Sequence, residues 1–229
     1  TGVPGLLDRK IAWGTKNIAE GPAMTREQAI RSIEIGIEIA EENVRKGYKV
    51  FSIGEMGISN TTSSACILGT FNHWNAIEVT GRGTNISDER LIHKVEVVQK
   101  AMDVNHPDPK DGLDVLSKVG GFEFGCLTGV ILGAAANHAM TIIDGFNTTA
   151  SAFIAKALAP QVTDYLMASH LSLEQAHKKS LAALGLSEYI DLDFRLGESI
   201  GAGIQKKMLD MAISVYRECV TKEEAGVEA

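Results

Sequence analysis

The sequence predicts an α/β protein built around a parallel sheet, and two patterns and the composition point there. Segments with helical spacing alternate with short β-rich runs, and the runs end in polar, Gly-bearing loops, the rhythm of strands joined through helices. The 229 residues include 23 Gly against 5 Pro and only 6% aromatic side chains, a balance that favours tight strand-to-helix turns over an all-β sandwich. With 45% hydrophobic and 22% charged residues, the chain can bury a core and lacks the bias of a disordered segment.

The elements follow in order. Thr25-Arg26-Glu27-Gln28 reads as a capping box, and Ile33, Ile37, Ala40 and Val44 recur at helical spacing as far as Lys46, where Gly47 ends the helix. Tyr48 to Ile53 is a strand candidate, closed by the loop Gly54 to Thr62 and followed by a helix of small residues. A second polar loop, Gly81-Arg82-Gly83-Thr84-Asn85, precedes Ser87, which can cap a helix running to about Met102. Asn105 to Pro109 is a linker, Leu113 to Val119 a short helix, and Gly120-Gly121 a break before an apolar helix. Thr141 to Asp144 is the next strand, with Gly145-Phe146-Asn147 opening a helix to about Leu158. Asp164 to Ala168 is a weaker strand candidate, Ser172 can cap the helix that follows, and a long helix runs from about Ile200 to Cys219. The stretch Leu127 to Ala136, rich in Gly and Ala, suits close packing against another element or a dimer partner.

Twenty-two basic against 29 acidic side chains give a net charge of −7, so nucleic acid and anionic membrane are excluded as natural partners. Cys66, Cys126 and Cys219 are odd in number and far apart, which fits neither a disulfide framework nor a zinc site and points to a reducing, cytoplasmic setting. The longest apolar stretch, Cys126 to Met140, is too short to span a bilayer. The opening Thr1-Gly2-Val3-Pro4-Gly5 has no start methionine and reads as a loop from mid-protein, so a preceding N-terminal part is expected.

Ligands of open parallel sheets bind beyond the carboxyl ends of the strands, which directs attention to the loops. Gly57 to Thr62 and Gly81 to Thr84 each lead into a helix start where free N–H groups favour an anion such as phosphate, although Gly with Ser or Thr is equally ordinary capping chemistry. Glu55 and Glu198 sit between glycines. Each is either a partly desolvated general base or an acceptor for nearby N–H groups. Asp88, Arg90 and Lys94 read as a solvated helix face, the six histidines show no metal spacing, and Cys66 reads as a packing residue.

The strings themselves carry more. Gly54-Glu55-Met56-Gly57-Ile58-Ser59-Asn60-Thr61-Thr62 closely resembles the hallmark of the nicotinate-nucleotide:dimethylbenzimidazole phosphoribosyltransferases, which assemble the lower-ligand nucleotide of cobamides. Further family-like blocks follow in order: Ile18 to Thr25, Gly81 to Thr84 with Lys94, Gly120 to Glu123, Asp144 to Phe146, Ser169 to His177, and Arg195 to Glu198. The resemblance implies a Rossmann-like parallel sheet flanked by helices with a smaller helical domain. Residues 1–220 would form the C-terminal two thirds of the family fold and 221–229 a tail. It implies transfer of the phosphoribosyl group of nicotinate mononucleotide to a lower-ligand base such as dimethylbenzimidazole, without a cofactor or metal.

By the same resemblance Glu198 is the general base and Glu55 a second carboxylate of the site. Gly57, Gly83, Thr84, Lys94, Gly145, Phe146, Ser172, Arg195 and Leu196 hold substrate. The implied partners are the small-molecule substrates and a second subunit, identical in a homodimer or paralogous in a heterodimer. A phenol- or cresol-accepting subunit of such a heterodimer and a non-catalytic partner subunit are the competing readings. The family commonly has Gly where this chain has Ser59, Asn85, Ala176 and Ser199.

Overall fold

The computed structural model describes residues 2–194 and 196–227. Helix α1, Arg26–Arg45, opens with the expected reciprocal cap: the Gln28 N–H donates to Thr25 Oγ1 at 3.2 Å, and the Thr25 N–H to Gln28 Oε1 at 3.0 Å. Strand β1, Val50–Ser52, leads through the Gly54 loop into α2, Asn60–Asn72. A short helix α3, Ala76–Val79, precedes α4, Asp88–Asn105, where the Arg90 N–H donates to Ser87 Oγ as the capping pattern requires. Helices α5, Gly112–Val119, and α6, Phe122–Ala136, lead to β2, Met140–Ile143, and α7, Phe146–Leu158. After a 3₁₀ turn at Pro160–Tyr165 come β3, Leu166–Ala168, β4, His170–Ser172, α8, His177–Leu184, β5, Ile190–Phe194, and α9, Ile200–Glu218.

The first three strands form one parallel sheet in the order β1-β2-β3, with Phe51 beside Thr141 and Ile142 beside Met167. Thr141, Ile142 and Ile143 are buried in succession, so both faces of the middle strand are covered, and α6, α7 and α9 all contact it. Strands β1 and β3 are shorter than the runs Tyr48 to Ile53 and Asp164 to Ala168 suggest, whereas β2 keeps its expected length. The second sheet, parallel β4-β5, is not anticipated by the sequence pattern; its bulge falls between His170 and Ser172. Ser172 therefore ends a strand and does not cap α8, whose N-cap is Ala176.

The closest packing joins α1 to α6, and it is made by missing side chains. A Cβ on Gly36 would lie 2.7 Å from the Val130 nitrogen, and one on Gly129 would lie 2.8 Å from the Ile33 carbonyl carbon. Both obstructions are backbone, which cannot swing aside. The Gly-rich face of α6 is thus consumed within the chain, against α1. Apolar exposure is concentrated elsewhere, on α9, where Met208, Met211, Val215 and Tyr216 face solvent. The total accessible area, 12299 Å², exceeds the roughly 10,000 Å² usual for a monomer of 24.5 kDa.

Gly129→Ala is expected to destabilise the protein by about 3 kcal/mol or more, from backbone overlap with α1. Gly203→Ala on α9, where a Cβ meets nothing within 4 Å, should stabilise by about 0.5–1 kcal/mol through helix propensity. Urea unfolding of the two variants beside the parent measures both.

Candidate active site

The loops that follow β1, β2, β4 and β5 open onto one cavity of about 780 Å³, together with the Arg82–Thr84 loop and one face of α4. It is lined by Glu55, Gly57, Gly83, Thr84, Lys94, Gly145, Phe146, Ser172, Leu196 and Glu198. Every described residue singled out for the site therefore lines this one cavity; Arg195 lies outside the described residues. Lys94 does not belong with the solvated charges of α4. Asp88 and Arg90 are exposed, whereas Lys94 is half-buried and donates from Nζ to Thr61 Oγ1 at 2.8 Å and to the Gly81 carbonyl at 3.0 Å.

Glu55 is held by two asparagines. Asn147 Nδ2 donates to its Oε1 at 2.8 Å, and Asn60 Nδ2 donates to its Oε2. Asn147 also donates to Asn60 Oδ1 at 2.9 Å and accepts from Ser64 Oγ at 2.6 Å, so the clamp is braced between α2 and α7. Behind it lies Glu123, whose carboxyl is held above the usual range by burial and, in smaller part, by the Glu55 charge.

Glu198 sits in the turn before α9. It and Ser199 both adopt left-handed backbone, with φ of 63° and 67°. The turn is locked onto the Glu55 loop: the Glu198 N–H donates to the Glu55 carbonyl at 3.2 Å, and a Cβ on Gly54 would come within 2.6 Å of Ser199 Cα. Three of the four positions where the resemblance leads to an expectation of Gly are left-handed here, with φ of 64° at Ser59, 72° at Asn85 and 67° at Ser199. Ala176 is ordinary right-handed backbone.

Asp144 joins the two halves. It is buried at the end of β2 and accepts the Ala202 N–H at 2.9 Å, and the nearby Gly201 and Ser199 amides also favour its charged form. Burial nevertheless pushes its carboxyl up to about 6, against the pull of those amides. Beside the Arg82–Thr84 loop, Glu174 is also buried, and its Oε1 accepts the Gly83 N–H at 2.8 Å. Burial holds Lys94 below the ordinary lysine range, partly offset by Glu174. Met56, Ile58 and Leu196 add exposed apolar surface to the rim. Cys66 is inert packing, its thiol pushed by burial up to about 12.

Sequence reasoning misses Asn60, Asp144, Asn147 and Glu174 as site residues, although all lie within the family-like strings or directly after them. Single polar residues in such strings carry no spacing signal of their own. Among the described residues no three His, Cys, Asp or Glu side chains are placed to hold a metal ion, and no helix is long and apolar enough to cross a membrane.

A parallel-sheet protein whose strand-end loops bring buried carboxylates and a lysine into one cavity has the layout of an enzyme that handles a polar, anionic substrate. The phosphoribosyltransferase family profile matches residues 2–227, and the chain belongs to that family. It is 48% identical over 220 residues to a nicotinate-nucleotide–dimethylbenzimidazole phosphoribosyltransferase of Clostridioides difficile, covering 96% of this chain and 63% of the relative. Against the protein of the same name from Syntrophotalea carbinolica it is 51% identical over 222 residues, 97% of this chain and 63% of that one. The crystal structure of CobT from Thermus thermophilus superposes with a TM-score of 0.93 at 39% identity, over 98% of this chain and 67% of that one. The chain spans just under two thirds of the length of these curated relatives.

The buried groups set opposing pH dependences. Burial lowers His170 to about 4 and His177 to about 3, from 6.5. As pH falls below 6.5 the unfolded chain takes up protons that the folded state resists, so these histidines withdraw stability. Asp144 acts with the opposite sign, because the folded carboxyl protonates near 6 and the unfolded one near 3.8. Asp144→Asn should therefore be more stable than the parent at pH 7, by up to about 3 kcal/mol, and the gain should vanish by about pH 4. Urea unfolding across that range checks this; a gain independent of pH would contradict it.

Proposed function

We propose that this chain carries the catalytic site of a nicotinate mononucleotide-dependent phosphoribosyltransferase, with dimethylbenzimidazole or a closely related base as acceptor. The observation that carries the reading is the shared cavity, which Glu55 and Glu198 line together with Lys94, Gly145 and Ser172. The names borne by the relatives agree with it.

In this reading the donor's phosphate lies against Lys94, Ser172 and the start of α7, where ammonium, hydroxyl and helix-start amides suit a dianion. The reacting carbon then falls beside the carboxylates. As the C1′–N bond breaks, its electron pair leaves on the pyridine nitrogen, which departs as a neutral ring and needs no acid. Positive charge grows on the ribose. Glu55, already oriented by Asn60 and Asn147, faces that charge without reorganising. The acceptor's ring nitrogen supplies the pair for the new C1′–N bond, and its other N–H proton passes to Glu198. Met56, Ile58 and Leu196 offer the acceptor's flat ring an apolar rim. The acting unit is a dimer, with α9 a candidate for the covered surface because its apolar residues are exposed.

Chromatography of nicotinate mononucleotide incubated with dimethylbenzimidazole, adenine, phenol or cresol tests the assignment. Nicotinate release that depends on the benzimidazole is expected, and release only with phenol or cresol would move the acceptor to the phenolic class. Glu198→Gln should lower turnover by about a hundredfold or more and leave donor binding nearly unchanged. A stable Glu198→Gln protein with parental turnover would shift the base to Glu55.

A further inference from the structure

Ser172 and Gly145 reach the cavity from loops that are distant in sequence, yet a Cβ on Gly145 would lie only 3.8 Å from Ser172 Cβ. Their spacing is held from behind by a chain of hydrogen bonds through His177, a fully buried residue that does not line the cavity. A backbone N–H can only donate, so the Ser172 N–H, 2.9 Å from His177 Nδ1, makes that nitrogen an unprotonated acceptor. The ring proton therefore sits on Nε2, 3.1 Å from Thr149 Oγ1. The Thr149 hydroxyl accepts it and donates in turn to the Gly145 carbonyl at 2.9 Å. Every proton in the relay is thus placed. Burial keeps the imidazole neutral far below physiological pH, so the order does not reverse there.

Any buried histidine must find partners for both ring nitrogens; the particular feature here is that both chains of partners end on cavity loops. Here one nitrogen holds the end of β4 and the other, through Thr149, holds the residue that opens α7. Thr148 Oγ1 and the Thr149 N–H also donate to the Gly145 carbonyl, at 2.9 and 3.0 Å, so the far end of the relay is anchored in the first turn of the helix.

We propose that His177 is a positioning residue for the donor's phosphate: it sets the separation of Ser172 and Gly145 without touching the ligand. The inference rests on the donor reading above and deepens it. Cutting the relay should impair the ligand that bridges both loops and spare the acceptor, which binds elsewhere in the same cavity.

Thr149→Val keeps the shape and removes only the second link, His177→Phe removes both, and His177→Asn leaves an oxygen that can take the Ser172 N–H. Steady-state kinetics with nicotinate mononucleotide and dimethylbenzimidazole, with thermal melts, read the result. Expected are a donor KM about tenfold higher for Thr149→Val, a larger rise for His177→Phe with partial recovery in His177→Asn, kcat within about twofold, and an unchanged acceptor KM. Should His177→Phe fail to fold, Thr149→Val carries the test. A folded Thr149→Val enzyme with the parental donor KM, or equal rises in both KM values, would overturn the positioning role. A parent protein with no turnover of nicotinate mononucleotide would instead overturn the donor reading, and this inference with it.

Discussion

A carboxylate buried at the carboxyl end of the middle strand ties the site to the sheet. Ser199, the N-cap of α9, supplies no side-chain bond to the helix start, and the free Ala202 amide is met by Asp144 from across the fold. That contact fixes where α9 begins and, with it, the turn that presents Glu198. The Asp144 carbonyl is held in its turn by Ser169 Oγ at 2.8 Å, beyond the end of the neighbouring strand β3. Burying a charge is costly, and the helix-start dipole and amides offset part of the cost. The carboxyl's upward displacement to about 6 shows that the offset is incomplete.

The cavity keeps its opposite charges from neutralising one another by giving them neutral partners. Glu55 rests on two amide side chains, and Lys94 on a hydroxyl and a carbonyl. Had the ammonium met the carboxylate directly, the pair would have closed the site and left little field for a ligand. Held apart, they leave a polarised space, which is what the proposed donor, anionic at one end and turning cationic at the other, would require. Glu174 follows a related logic, since its Oε1 is given to a backbone amide, that of Gly83, and so shapes the loop beside Lys94.

Four of the eight left-handed non-Gly residues among the described residues lie in the loops around the same cavity. Ser59, Asn85, Glu198 and Ser199 hold left-handed conformations that side chains disfavour by about 1–2 kcal/mol each. Such residues persist only where neighbours over-determine them. At Glu198 the neighbours are the Glu55 carbonyl and the bare backbone of Gly54, both from the loop after β1. These contacts between the two carboxylate-bearing loops sustain the strain, and both Glu55 and Glu198 line the cavity.

Much of the fold is legible in the chain because its signals are local. The capping box at Thr25, the cap at Ser87 and the apolar periodicity of α1 depend on residues within a turn or two of each other, and they form as read. The second sheet escapes such a reading, although Ile190-Asp191-Leu192-Asp193-Phe194 alternates as a half-buried strand should, because five residues beside a three-residue partner offer little signal against surrounding turns. The family-like strings mark which loops matter. They do not show that Lys94 leaves the solvated face of its helix, or that Asn60 and Asn147 converge on Glu55 from two helices. By itself the sequence determined the alternation of elements, where helices begin, and the small residues that allow backbones to touch, since these follow from steric and hydrogen-bonding preferences a few residues long. Only the tertiary structure decided which buried polar groups meet, because a partner 58 or 92 residues away is chosen by the packing of whole elements and leaves no trace in local spacing.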